Sequence, residues 1–439
     1  MRRALLRGAV ALAISVALMI GSVTAAAGGE AEGVHRSAPA GVTDGSALGQ
    51  QLQGELDQIR SAHGIPGVSL SVLLPGARTP LTVTSGTTSR DGDPSGSTAV
   101  TASSLFEIGG ITRTMTAALV QLLAADGKLS LDDPLAKYFP EYPAWAGVTV
   151  RELLNMTSGV VDYTGAGRAP SGASAPGRRW TLHQLADLAY DATPNTSFAP
   201  GQGWEYSATN AILAGMIAEK VTGHSFAGEL RRRVLGPQGA NLTGTYYGSS
   251  LPAWVHLRLV DGYDGSQLVR SGADVADDNP TWSGPAGAAV SDTPDVALWT
   301  RTLFSGGLLP AGALRELNQF VAAPSDVTDP GAGEPTDTTD PDGYTLGWDH
   351  GYDAAVGPFW FKLGDAPGYQ SWTGWFPCSN LAVSIGTNQA PTDSTDSTDS
   401  STSGIAALHE MAVDAVLHSP DFSNALAAHP APYLRTCPR

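Results

Sequence analysis

Strand-type alternation is confined almost entirely to the two ends of this 439-residue chain. Near the start, Val68, Leu70 and Val72 alternate with Ser69 and Ser71, and Pro80 to Ser85 alternates again beyond a turn at Gly76, the pattern of a β-hairpin. Near the end, Tyr344–Trp348, Phe359–Lys362, Tyr369–Phe376 and Leu381–Ile385 read as strands. Between them the periodicity is helical. Met115, Leu119, Leu122 and Leu123 share a face over Thr112–Asp126, with Gly127 as a stop, and Val150–Met156 and Asn210–Val221 are further helices. A helix over Gln51–His63 opens the folded part and one over Gly404–Leu417 closes it. Any sheet must therefore be assembled from remote segments. The expected class is α+β, with an α-helical subdomain over roughly 128–300 inserted between N- and C-terminal sheet elements.

The flanking segments suggest export. Arg2, Arg3 and Arg7 precede an apolar run from Ala9 to Ile20, and Ala25-Ala26-Ala27 offers a cleavage site, so residues 1–27 read as a secretory signal peptide. The run is shorter than the roughly 18 apolar residues of a membrane span, so no stable span is expected once it is removed. The paired arginines leave both the general and the twin-arginine routes open. Residues 28–48, rich in Ala, Gly and Ser, read as a flexible leader, and 49–439 as one domain. The net charge of −17 disfavours nucleic acid or an anionic lipid surface as partner. Cys378 and Cys437 are the only cysteines, and a bridge between them is expected in an oxidising compartment, two separate thiols being the alternative. The nine His show no metal-ligand spacing, so no metal and no cofactor are expected. The acidic stretches 324–343 and 392–404 read as solvated loops.

The chemistry is concentrated in Phe106-Glu107-Ile108-Gly109-Gly110-Ile111-Thr112-Arg113-Thr114-Met115, followed by Gly127-Lys128-Leu129-Ser130-Leu131-Asp132-Asp133-Pro134-Leu135, Val148 to Leu154, Thr157-Ser158-Gly159, Gly201 to Gly223, Ala286 to Leu309 and Lys362 to Pro377. Over roughly residues 50–420 these segments resemble the serine β-lactamase and penicillin-binding-protein superfamily, of the class C β-lactamase and D-Ala-D-Ala carboxypeptidase type. The resemblance implies a β-lactamase/transpeptidase-like fold, an antiparallel sheet flanked by helices. It also implies three catalytic motifs. The first, Ser-x-x-Lys, puts a hydroxyl at a helix N-terminus and an amine one turn on, able to take its proton. Here it reads Gly110-Ile111-Thr112-Arg113. Glycine has no nucleophile, and a guanidinium stays protonated and cannot act as a base. In another serine hydrolase, loss of the nucleophile costs on the order of 10⁶ in turnover. Thr112 lies two positions on, roughly 200° around the helix, and cannot stand in.

The second motif, Tyr-x-Asn, reads Tyr206-Ser207-Ala208, keeping the phenol and losing the amide; Asn210 could replace that amide only if the loop were rearranged. The third, Lys/His-x-Gly, is matched by Lys362-Leu363-Gly364, where a strand lysine binds a carboxylate and the glycine admits a ligand backbone. None of Lys128, Lys137, Lys220 and Lys362 has a serine three residues before it, and there is no Gly-x-Ser-x-Gly elbow. The expectation is a secreted or cell-envelope domain with no intact catalytic set. It would not acylate, and would keep a cleft in which Arg113, Tyr206, Asn210 and Lys362 bind a peptidoglycan stem peptide or another small carboxylate, with Arg113 and Lys362 as two cations facing an empty Gly110 position. An Arg113 merely paired to a nearby acid is the plain alternative. The competing functions are an active carboxypeptidase, β-lactamase or esterase with an unrecognised nucleophile, and an extracellular interaction module.

Overall fold

The computed structural model describes residues 46–439 apart from 94–95, 166–167, 169, 171–176, 273–278, 323–342, 354, 391–403, 431–436 and 438–439. The expected signal peptide, the leader up to residue 45, and the acidic stretches other than Gly343 and Gly404 lie outside the described residues.

In chain order the strands are β1 (Gly67–Leu73), β2 (Leu81–Gly86), β3 (Phe106–Glu107), β4 (Gly262–Asp264), β5 (Gln267–Arg270), β6 (Val290–Ser291), β7 (Val321–Ala322), β8 (Gly343–Tyr344), β9 (Asp349–Asp353), β10 (Gly357–Ala366), β11 (Tyr369–Phe376) and β12 (Leu381–Thr387). The α-helices are α1 (Ala47–Ala62), α2 (Ile111–Ala125), α3 (Val150–Leu154), α4 (Leu182–Tyr190), α5 (Ala208–Thr222), α6 (Phe226–Leu230), α7 (Ala253–His256), α8 (Pro280–Gly287), α9 (Thr293–Phe304), α10 (Ala311–Leu317), α11 (Gly404–Leu417) and α12 (Pro420–Ala428).

One antiparallel sheet runs in the order β2-β1-β12-β11-β10-β9-β8-β7. The opening hairpin lies beside the last strand, with Leu70 opposite Ile385 and Val72 opposite Val383. The sheet thus joins the two ends of the chain, as the distribution of alternating segments requires. On one face, Val68, Leu70, Val72 and Val83 pack under Leu52 and Leu56 of α1 and Leu408 and Ala412 of α11. The other face is lined with hydroxyls, and it too is buried, under α9. Thr293 bonds Ser69 at 2.7 Å and Ser71 at 2.8 Å, Thr300 bonds Thr373 at 2.7 Å, and the Ser384 hydroxyl donates to the Thr293 carbonyl at 2.6 Å. Pairing these groups makes burial of a polar face tolerable. Beyond this layer, α2 is enclosed on nearly all sides, with Ile111, Met115, Leu119 and Leu123 in a large cluster shared with α4 and α5. The disulfide Cys378–Cys437 ties the end of the chain to the turn after β11.

Several expected boundaries shift. Helix α1 starts at Ala47, inside the supposed leader, because the Ser46 hydroxyl accepts from Gly49 N–H at 3.1 Å and Leu48 is buried. The strand expected over Tyr344–Trp348 is split: β8 ends at Tyr344, and the chain turns at Gly347, whose φ of +89° suits a residue without Cβ, before β9. The block expected to be helical also contains β4, β5 and β6, and α9 is sandwiched between the sheet and α2, with Trp299 donating to Thr114 at 2.9 Å.

Candidate functional site

The site forms where the N-terminus of α2, the start of α5 and the far half of β10 converge. Strand β10 pairs with β9 only from Gly357 to Phe361, and with β11 from Trp360 to Ala366. Lys362 is therefore on an internal strand, but from that residue onward the side formerly covered by β9 is taken by the segment before α2. The approach is close. Gly109 has a φ of +42°, and a Cβ there would lie 2.7 Å from the Asp365 backbone nitrogen. A Cβ on Gly364 would strike the carbonyl of Ile108, and the Ser371 hydroxyl donates to that same carbonyl at 3.1 Å. The glycine expected to admit a ligand backbone instead admits the chain's own Ile108.

Gly110 is different. Its φ of −56° and ψ of −17° are open to any L-residue, so the backbone does not require glycine. Space does. An added Cβ would run into Nη2 of Arg113 and lie 2.7 Å from the carbonyl oxygen of Leu363. The guanidinium one turn along α2 has folded back into the volume that a side chain at position 110 would use. The Gly110 position is not empty, which corrects the picture of two cations facing a void.

Arg113 is fixed by Tyr206. Its Nη1 donates to the phenol oxygen at 2.6 Å and, at 3.5 Å, to the Ala286 carbonyl, and its Cζ lies 4.6 Å from the Tyr206 ring centroid. Among the described residues no carboxylate lies within ion-pair distance of it, so the pairing with a neighbouring acid does not occur. Burial works to lower the guanidinium pKa, but Tyr206, Tyr344, Asp349 and Asp162 outweigh it and hold the pKa above its ordinary value. Burial pushes the Tyr206 phenol up to about 12 against the pull of Arg113. At neutral pH the pair is a cation and a neutral phenol.

Lys362 is 4% exposed, and its ammonium donates to Asp349 at 2.8 Å and to the Tyr344 hydroxyl at 3.2 Å, over whose ring it lies at 4.5 Å. Its charge is matched within the protein, leaving Arg113, of these two cations, without a carboxylate partner among the described residues. Asn210 does not reach the cleft. It is fully buried in α5, where its Oδ1 accepts from Ser158 at 2.7 Å and its Nδ2 lies 3.2 Å from the Met156 sulfur. Ala208 opens α5, and its N–H donates to Asp162 at 3.2 Å. Thr112 is buried, its hydroxyl accepting from Ala289 N–H at 3.1 Å. The structure thus gathers Gly110, Arg113, Tyr206, Lys362 and Gly364, and leaves Asn210 outside. Tyr344, Asp349 and Asp162 were missed. They belong to no motif, and only the fold places them beside residues that do.

The curated relatives include penicillin-binding protein 4* of Bacillus subtilis (strain 168), 34% identical over 149 residues covering 33% of this chain and 31% of that protein. Penicillin-binding protein 4 of Amycolatopsis lactamdurans is 29% identical over 271 residues, 59% of this chain and 65% of the relative. The matches thus span less than two thirds of these relatives' length. The crystal structure of D-amino acid amidase from Ochrobactrum anthropi SV3, complexed with L-phenylalanine, superposes with a TM-score of 0.69 at 25% identity, covering 85% of this chain and 99% of the amidase. The Beta-lactamase family model matches residues 50–406, from α1 through the nucleophile-position helix and the Lys362 strand to the start of α11, and this chain accordingly belongs to the β-lactamase family.

Proposed function

We propose that this protein is a non-acylating member of its family, whose cleft binds a small carboxylate in place of cleaving an acyl bond. The seating of the Arg113 guanidinium on Gly110 carries the reading. A serine hydroxyl would be a nucleophile there; a guanidinium is a fixed cation with no lone pair to attack a carbonyl, and it neither accepts nor releases a proton at neutral pH. Nη1 is engaged with Tyr206, and Nη2 lies where a Cβ on Gly110 would be, at the position of the family's nucleophilic side chain. A carboxylate oxygen docked against it would gain a charge-assisted hydrogen bond. The relatives are named for penicillin binding and D-amino acid amide hydrolysis, which supports a peptide ending in a D-residue, of peptidoglycan stem type, as the ligand. Export through residues 1–27, to a secreted or cell-envelope location, belongs to the same proposal, and N-terminal sequencing of the exported protein checks it.

The test uses the whole protein. Incubation with a reporter penicillin followed by intact mass measurement is expected to show no adduct. Calorimetric titration with acetyl-D-Ala-D-Ala is expected to show saturable binding, weaker for the C-terminal amide and lost in Arg113→Gln. A penicilloyl adduct on any residue would overturn the non-acylating reading, and equal binding of acid and amide would overturn the carboxylate.

A further inference from the structure

Arg113 and Tyr206 hold each other, and something must hold the pair. Among the described residues the phenol meets no hydrogen-bond partner other than Arg113. A guanidinium at the end of a long flexible chain cannot fix the ring, so the backbone that carries Tyr206 sets its place. That backbone is an irregular stretch, Gly203 to Ser207, leading into α5. Ser207, the N-cap of α5, is fully buried, and its hydroxyl makes no capping bond to the helix. The first turn of α5 therefore needs an acceptor from elsewhere.

The segment 156–163 supplies it. On one side of Tyr206, the Met156 carbonyl accepts from Glu205 N–H at 3.1 Å. On the other, Asp162 Oδ2 accepts from Ala208 N–H at 3.2 Å. Oδ1 of the same carboxylate accepts from the Thr164 N–H and the Thr164 hydroxyl, both at 2.8 Å, which fixes the carboxylate in its own turn. Beside it, the Thr209 hydroxyl donates to the Val161 carbonyl at 2.8 Å and accepts from Tyr163 N–H at 2.9 Å. Asp162 thus does for α5 what Ser207 does not, and its negative charge suits a helix N-terminus.

We propose that Asp162 is a positioning residue of the cleft: by holding the first turn of α5 it fixes Tyr206, and through the phenol it fixes the Arg113 guanidinium that receives the ligand carboxylate. This role rests on the carboxylate reading of the cleft. It carries a sign that a purely electrostatic role does not. Asp162 is an anion close enough to help keep Arg113 charged. Acting on the ligand through charge alone, it would repel a carboxylate, and its removal would tighten binding. Acting by position, its removal weakens binding.

The whole protein is titrated with acetyl-D-Ala-D-Ala by calorimetry at pH 7, well below the melting temperature of each variant. Asp162→Ala should bind about tenfold more weakly, as for one impaired charge-assisted hydrogen bond to the ligand. Because loss of this acceptor can loosen α5, Asp162→Asn, which keeps one acceptor oxygen, is the second variant and should weaken binding less. A cycle without ligand accompanies it: urea denaturation of the parent, Asp162→Ala, Tyr206→Phe and the double variant. Tyr206→Phe should cost less in the Asp162→Ala background, where the phenol no longer sits at Arg113. A cap that stabilises α5 without placing Tyr206 would give costs that add. Unchanged or tighter binding by the folded Asp162 variants, or additive costs in the cycle, would each overturn the assignment. If the parent itself fails to bind the peptide, the carboxylate reading falls, and the cycle alone decides whether Asp162 positions Tyr206.

Discussion

Replacing Gly110 by serine places a Cβ where Nη2 of Arg113 now lies and 2.7 Å from the Leu363 carbonyl oxygen. The carbonyl belongs to an internal strand and yields little; the guanidinium ends a flexible chain and must move. Moving it breaks the 2.6 Å bond to Tyr206 and the stacking at 4.6 Å on its ring. A hydrogen bond to a charged group contributes about 1.5–3 kcal/mol and a shielded cation–π contact about 1–2 kcal/mol. Water recovers part of this for the displaced cation, so Gly110→Ser should destabilise by about 2–4 kcal/mol. Arg113→Lys alone also loses much of the Tyr206 interaction. The double variant should therefore cost less than the two single costs added, by about 1–3 kcal/mol, because the serine no longer displaces anything. Urea denaturation of the four proteins closes the cycle. If Gly110→Ser is as stable as the parent, or the two costs simply add, the guanidinium is not seated on Gly110. The same four proteins mixed with a reporter penicillin show by intact mass whether the restored hydroxyl and amine acylate; the missing amide at Ala208 predicts a slow reaction at best.

Three further outcomes follow from buried charge and from the disulfide. Burial, and then the neighbouring Asp292, push the Asp295 carboxyl up to about 6. Its folded value lies above its unfolded one, so its contribution favours folding at low pH and is lost as pH rises from about 4 to about 6, a change of at most about 3 kcal/mol; Asp295→Asn should raise the urea midpoint at pH 7 and flatten that part of the profile. Asp349→Asn leaves the buried Lys362 ammonium without its countercharge and should cost about 2–3 kcal/mol, the low end for a broken buried pair because Asp349 is partly exposed; a smaller effect than the exposed Lys137→Ala would contradict it. Replacing both Cys378 and Cys437 by serine opens a loop of 59 residues and should destabilise by up to about 4 kcal/mol, read from thermal unfolding with and without reductant.

Much of the fold was legible because each strand and helix has its own period. The alternation at β1 and β2 located the hairpin within a residue of its ends, and the apolar spacing of α2 located the buried helix. The three motif positions were legible only through the resemblance to the family, whose short motifs can be matched residue by residue. What could not be read was which groups they would meet. Nothing near Lys362 in sequence announced Asp349 and Tyr344, which a turn at Gly347 brings onto a neighbouring part of the sheet. Nothing near Asn210 announced that its amide would be bonded to Ser158 inside the helical layer.

The residue types alone determined that position 110 offers no oxygen and position 113 no base, because those are properties of glycine and of a guanidinium in any surroundings. They also determined that Ser69 and Ser71 share one face of a strand. Only the tertiary structure decided that this hydroxyl face would be buried against Thr293 rather than wetted, and that Arg113 would turn back onto Gly110 rather than out to a carboxylate. A side chain's chemistry travels with the sequence. Its partners depend on segments that the chain brings together only on folding, and the balance between solvation and pairing is settled there.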